Sequence, residues 1–294
     1  MEIDTETLMD EVRKIRIVTR HLLDDRLSGD YHSVFKGQGI EFDEARPYQP
    51  GDDVRSIDWN VTARTGVPYI KRFSEERELT VLFLVDVSGS QSFGSHGRSK
   101  AALAAKLTAL LAMTALQNQD KVGLVLFSDR IVKSLPPGKG RTAVQRLVRE
   151  VLAAEETNEG TDIRAALRFV RATQHRKAVI FVVSDFQDEN YLPEMQVFAR
   201  RHDLIACRVS DPAESELPDV GLVELFDPET HETILADTSS AEVRRAFAED
   251  ARMRREADKK AFASAGIDLL ELATDQPYIN AVRELFRRRA LRRR

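Results

Sequence analysis

The rhythm of apolar and polar positions changes along the chain. In residues 4–27, Leu8, Val12, Ile15, Ile17, Val18, Leu22 and Leu23 fall roughly on one helical face, which predicts a helix. Over 28–78 that period is lost. Gly29, Gly37, Gly39, Pro47, Pro50, Gly51, Gly66 and Pro68 punctuate the segment, so it reads as short strands and turns. It is too rich in Phe, Tyr and Trp to be a mere linker. From residue 79 the pattern becomes regular. Leu79–Asp86 is a continuous apolar run with β-branched residues, as in a strand buried on both faces.

An alanine- and leucine-rich helix follows, about 98–118. Strands are expected at Val122–Phe127 and Ile131–Ser134, and a helix after Pro136-Pro137-Gly138. A helix near 162–174, a strand Ala178–Ser184, a helix near 191–202 and a strand Leu204–Val209 continue the alternation. Strands alternating with helices imply βαβ crossovers. The expected fold class is therefore α/β: a Rossmann-like, three-layer architecture on a mainly parallel sheet. Short strands at Leu222–Phe226 and Thr233–Ala236, a charged helix over 239–264, a strand at Ile267–Leu272 and a helix from about 277 complete the pattern. The expected organisation is an extension over 1–78 and an α/β domain over 79–294.

Composition narrows the function classes. The chain has 294 residues, 42% of them apolar and 31% charged, as in an ordinary soluble globular protein. Its 44 basic and 48 acidic residues leave a formal net charge of −4, which argues against a wholly electrostatic nucleic-acid binder. Arg283, Arg287, Arg288, Arg289, Arg292, Arg293 and Arg294 crowd the end, and a solvated helix terminus is their default reading. A single cysteine, Cys207, excludes a disulfide framework and a cysteine-based zinc site. The opening residues Met1-Glu2-Ile3-Asp4 lack a signal peptide's basic and apolar regions, and no apolar run is long enough to span a membrane. The expected compartment is the cytoplasm.

The chemistry gathers where the first buried strand ends, at Asp86-Val87-Ser88-Gly89-Ser90. Ligands of open α/β sheets bind beyond the carboxyl ends of strands. A carboxylate on an otherwise apolar strand demands a partner there, because burying it unpaired is costly. One carboxylate and two hydroxyls on one tight loop are hard oxygen donors suited to Mg²⁺. Thr161, ahead of a helix, and Asp185, after the strand Ala178–Ser184, could complete the set. Thr161 could instead be an N-cap, and Asp162 reads as a cap rather than a ligand.

From about residue 79 the chain resembles a von Willebrand factor A domain, and Asp86, Ser88, Ser90, Thr161 and Asp185 look like its metal-ion-dependent adhesion site. The resemblance implies that the two serines and the threonine touch Mg²⁺ (or Mn²⁺) directly, that the aspartates bind largely through water, and that one position is left for a partner's acidic residue. Phe186 stands where a glycine is common in that family. Upstream, Gly37-Gln38-Gly39-Ile40-Glu41-Phe42, Arg46-Pro47-Tyr48-Gln49-Pro50-Gly51-Asp52-Asp53, Arg55-Ser56-Ile57-Asp58-Trp59 and Ala63-Arg64 resemble the signature of a bacterial family, domain of unknown function 58. That resemblance implies a MoxR-type AAA+ ATPase as partner, with a role in protein maturation or remodelling.

The expected function is a metal-dependent binding adaptor, not an enzyme. Gly138-Lys139-Gly140-Arg141-Thr142 lacks the spacing of a phosphate loop, and Ser90 and Ser92 lie in no nucleophile elbow. The alternative is Mg²⁺-dependent phosphoryl transfer through Asp86, which would want a second carboxylate where Ser88 stands. Trp59 reads as a core residue. Asp52, Asp53, Arg55, Asp58 and Arg64 read as an ion-pair network, and His96 as a solvated loop residue.

Overall fold

The structure, a computed structural model, describes residues 31, 40–75, 79–95, 97, 99–154, 157, 159–188, 190–226 and 233–292. The helix expected over 4–27, His96, Arg293 and Arg294 lie outside the described residues. The chain divides into two compact units: Phe35–Leu79, and Met1–Val34 together with Thr80–Arg294.

In the smaller unit, strand β1 (Ile40–Pro47) pairs antiparallel with β2 (Tyr69–Glu75). Between them lie a 3-10 turn at Val54–Ser56 and helix α1 (Trp59–Thr65). The expected ion-pair network does local work instead. Asp52 takes both ends of the Arg46 guanidinium, at 2.7 and 2.9 Å. Asp53 accepts from the Arg55 amide, and Asp58 caps α1 through the amides of Asn60 and Val61. Such caps satisfy donors that a helix start leaves orphaned. Trp59 corrects the sequence reading: it is 70% exposed, not core. It opens a helix that buries none of its side chains, so its ring has no layer to enter.

In the larger unit the strands are β3 (Thr80–Asp86), β4 (Lys121–Phe127), β5 (Ile131–Lys139), β6 (Val179–Ser184) and β7 (Asp203–Ser210). A separate antiparallel pair, β8 (Leu222–Phe226) with β9 (Thr233–Asp237), follows, and then β10 (Asp268–Ala273). The six-stranded sheet runs β10-β7-β6-β3-β4-β5, parallel throughout except for β5. This is the mainly parallel α/β sheet expected. The sequence reading ended β5 at Ser134, but the strand continues through Pro136 and Pro137. Prolines are tolerated there because β5 is an edge strand.

The helices are α2 (Lys100–Gln117), α3 (Gly140–Leu152), α4 (Ile163–Thr173), α5 (Leu192–Ala199), α6 (Ala241–Ser264) and α7 (Tyr278–Arg292). Alternation along β3 sends Leu82 and Leu84 into a core with Leu167 and Val170 of α4 and Phe262 of α6. Phe83 stacks on Phe181 of β6 with ring centroids 5.5 Å apart. Tyr31 is buried, donates to Asp120 Oδ2 at 2.9 Å and meets Phe286 edge-on. No helix among the described residues is long and apolar enough to cross a membrane.

The basic terminus also departs from its default reading. Arg289 is buried, pairs with Asp203, and lies 3.2 Å from Asp268. Arg292 reaches Asp268 at 2.7 Å. These aspartates open β7 and β10, so part of the arginine cluster ties α7 to the amino edge of the sheet.

Candidate functional site

The chain leaves β3 for β4 on one side and returns to β6 on the other. This is the topological switch point, where a crevice opens beyond the carboxyl ends of the strands. Asp86 ends β3 and Asp185 follows the last residue of β6, so parallel pairing brings both to one edge.

Asp86 is buried and held from several sides. Its Oδ1 accepts from the Ser88 amide at 2.9 Å, and its Oδ2 from Ser184 Oγ at 2.6 Å. Gln91 Nε2 lies 3.4 Å from the same Oδ2. Among the described residues no cation pairs with Asp86. Burial first, and the charge of Asp185 second, push its carboxyl up to about 7, against the pull of the Ser184 and Ser88 hydrogen bonds. Ser88 and Ser90 sit beside it, their hydroxyls 3.3 Å apart, and Ser90 Oγ donates to Asp185 Oδ2 at 2.7 Å. A 3-10 turn over Gly89–Ser92 makes this closeness possible by bending the chain sharply after β3.

The structure thus brings Asp86, Ser88, Ser90 and Asp185 together. Thr161 is half-buried and immediately precedes Asp162, which is the N-cap of α4 through the Ala165 amide at 3.0 Å. The loop carrying Thr161 runs alongside the serine loop, since the Gly89 amide donates to the Glu159 carbonyl at 3.2 Å. Phe186 has φ +60°, the left-handed conformation that glycine adopts without penalty. Its ring accounts for the substitution: it is buried, packing 5.3 Å from Phe262 and under the Arg208 guanidinium.

Sequence reasoning missed a cation. Lys100, the first residue of α2, is fully buried. Its Nζ lies 2.6 Å from Asp185 Oδ2 and pairs also with Glu214. Burial pulls the ammonium down, but the charges of Asp185 and Glu214 outweigh it and hold the group above its ordinary value. A lysine in the first turn opposes the helix dipole. That misplacement, just after the Ser99 cap, was the available signal. Glu214 in turn accepts from the Asp211 amide and from Gln187 Nε2, closing a capping box around Pro212–Glu214.

The donor set fits a hard divalent cation. Among the described residues, Asp86 is a buried carboxylate with no counter-charge beside two close hydroxyls, and Gln91 Oε1 is buried with no hydrogen-bond partner. Among the described residues no group of three or more His, Cys, Asp or Glu is arranged to hold a metal. The oxygen donors gathered at this edge are two hydroxyls, from Ser88 and Ser90, and two carboxylates, from Asp86 and Asp185.

A family model described as "Protein of unknown function DUF58" matches residues 44–257. An uncharacterized protein of Mycobacterium tuberculosis is 30% identical over 281 residues, covering 95% of this chain and 88% of its own length. Among solved structures, BatB from Bacteroides thetaiotaomicron aligns at 15% identity and TM-score 0.46, over 72% of this chain and 99% of that one. A von Willebrand factor type A protein from Catenulispora acidiphila aligns at 11% identity and TM-score 0.39, over 76% of this chain and 44% of that one.

Proposed function

The chain belongs to the family described as Protein of unknown function DUF58, and we propose that it works as a metal-dependent protein-binding adaptor rather than as an enzyme. The observation that carries this reading is the buried Asp86 carboxylate, with no cation partner among the described residues, beside the paired hydroxyls of Ser88 and Ser90. Ser88 and Ser90 would hold Mg²⁺ or Mn²⁺ directly, joined by Thr161, with Asp86 and Asp185 supporting it largely through water. When bound, such an ion supplies a positively charged position that an acidic side chain can occupy.

The chain's own residues set the conditions for that contact. Neutral hydroxyls leave a cation's charge largely unspent, so it retains appetite for a carboxylate. The Ser184 and Ser88 hydrogen bonds hold the Asp86 side chain in one place before any ligand arrives. Those same bonds disfavour Asp86 as a phosphoryl acceptor, because both of its oxygens are already engaged and buried. The partner we infer is an AAA+ ATPase of MoxR type, or its client, in protein maturation or remodelling in the cytoplasm.

The test combines Ser88→Ala with Ser90→Ala. Mg²⁺ should raise the melting temperature of the wild type by mass action and leave that of the folded double variant unmoved. Pull-down of the ATPase should be lost both in the variant and on chelation. Binding that survives both treatments overturns the metal-bridged contact.

A further inference from the structure

Lys100 brings a full positive charge to within 2.6 Å of a carboxylate that the proposed metal would also use. Its side chain is fully buried, and it stands at a helix start where the dipole repels it. A lysine is kept in such a place only by strong compensating charge, here Asp185 and Glu214. The two carboxylates of the centre are therefore unequal. Asp185 already has its cation, whereas Asp86 has none among the described residues.

We propose that Lys100 is a tethered counter-cation of the centre: it spends the charge of Asp185, weakens the hold on a divalent ion, and leaves that ion more positive for an acidic partner. This rests on the metal-binding reading above. With Lys100 in place, Asp86 is the carboxylate of the pair whose charge, once a metal draws off its proton, is left for that metal. Without it Asp185 would contribute too, and the ion would be held tighter but be less attractive to a partner's carboxylate. Glu214 sets the balance from the other side by drawing part of the ammonium's charge away from Asp185. Because Glu214 closes the turn after β7, the charge at the metal centre is linked to the position of that turn.

The alternative is a plain clamp, in which Lys100 only fastens α2 to the loops after β6 and β7. The two roles predict different signs. Isothermal titration of Mg²⁺ into the full chain at fixed ionic strength would compare the wild type with Lys100→Met, Lys100→Gln and Glu214→Gln. Lys100→Gln keeps two amide donors for the two carboxylates, so it serves if Lys100→Met fails to fold. Removing the charge should tighten Mg²⁺ binding by about tenfold or more, as expected for one charge a few ångströms away in a partly buried site. Glu214→Gln should weaken it several-fold.

If Lys100 is only a clamp, both kinds of variant loosen the same contact and weaken Mg²⁺ binding together, and the proposal falls while the metal reading stands. If the wild type shows no heat of binding but the Lys100 variants do, the proposal holds and the ammonium outcompetes the metal in the native chain. If none of the four proteins binds Mg²⁺ or Mn²⁺, the metal reading fails and takes the proposal with it.

Discussion

Ser184 Oγ donates to Asp86 Oδ2 at 2.6 Å, across two neighbouring parallel strands. The bond joins the last residue of β6 to the last residue of β3 at the switch point of the sheet. Ser184 Oγ also accepts from the Phe186 amide at 3.0 Å. One hydroxyl therefore fixes both the carboxylate and the loop that carries Asp185.

The stability of the metal-free fold should depend on pH through Asp86. Burial, then Asp185, raises the Asp86 carboxyl to about 7 when the chain is folded without metal. A carboxyl raised above its unfolded value keeps its proton longer in the folded state. Its stabilising contribution is full below the ordinary carboxylate range and is lost as pH rises through about 7. Denaturant unfolding in chelator, at several pH values across that window, should show a decline in the wild type that Asp86→Asn reduces. Parallel curves for the two proteins would refute the shift. Mg²⁺ should oppose the decline, because it favours the ionised carboxylate.

Phe186 combines a left-handed backbone with a buried ring. Phe186→Ala removes the ring and should cost about 3–5 kcal/mol. Phe186→Gly removes it too, but relieves the strained backbone, worth about 1–2 kcal/mol for an L-residue in this region. Glycine should therefore be the less destabilising replacement, the reverse of its usual rank against alanine. Equilibrium unfolding of the pair decides it, and alanine proving the milder change would contradict the strain.

Gly123 lies inside β4 where the pairing with β5 shifts register. A Cβ there would stand 2.6 Å from Leu82 Cδ2 and 3.0 Å from the Leu135 carbonyl oxygen. Gly123→Ala should therefore overpack the sheet and lower stability by about 1–3 kcal/mol. A thermal melt matching the wild type would show that the neighbours yield freely.

The arginines of α7 should divide by burial. Arg289→Ala leaves Asp203 and Asp268 without their buried partner and should cost about 3–5 kcal/mol. Arg287 is exposed and meets Glu284 at 2.8 Å within the same helix, where water screens the pair, so Arg287→Ala should leave stability nearly unchanged. Equal losses in urea unfolding would mean that Arg289 is not the tie between α7 and the sheet.

The alternation of strands and helices from residue 79 onward was legible in the sequence, because a strand buried on both faces must be continuously apolar and its crossover helix must show a helical period. So was the set Asp86, Ser88 and Ser90, since a charge ending an apolar strand has few other reasons to be there. Local rules also placed Asp162 as a cap. What the tertiary structure alone decided were relations between residues far apart in the chain. Lys100 acquires its role only where α2 packs beside Asp185 and Glu214. Trp59 looked like core, but burial depends on whether a layer is there to receive the ring, and α1 offers none. Arg289 looked like one more solvated arginine until α7 lay over the starts of β7 and β10. Periodicity records which face of an element is apolar. It does not record which charge from elsewhere will meet that face, and at this centre the meeting sets the chemistry.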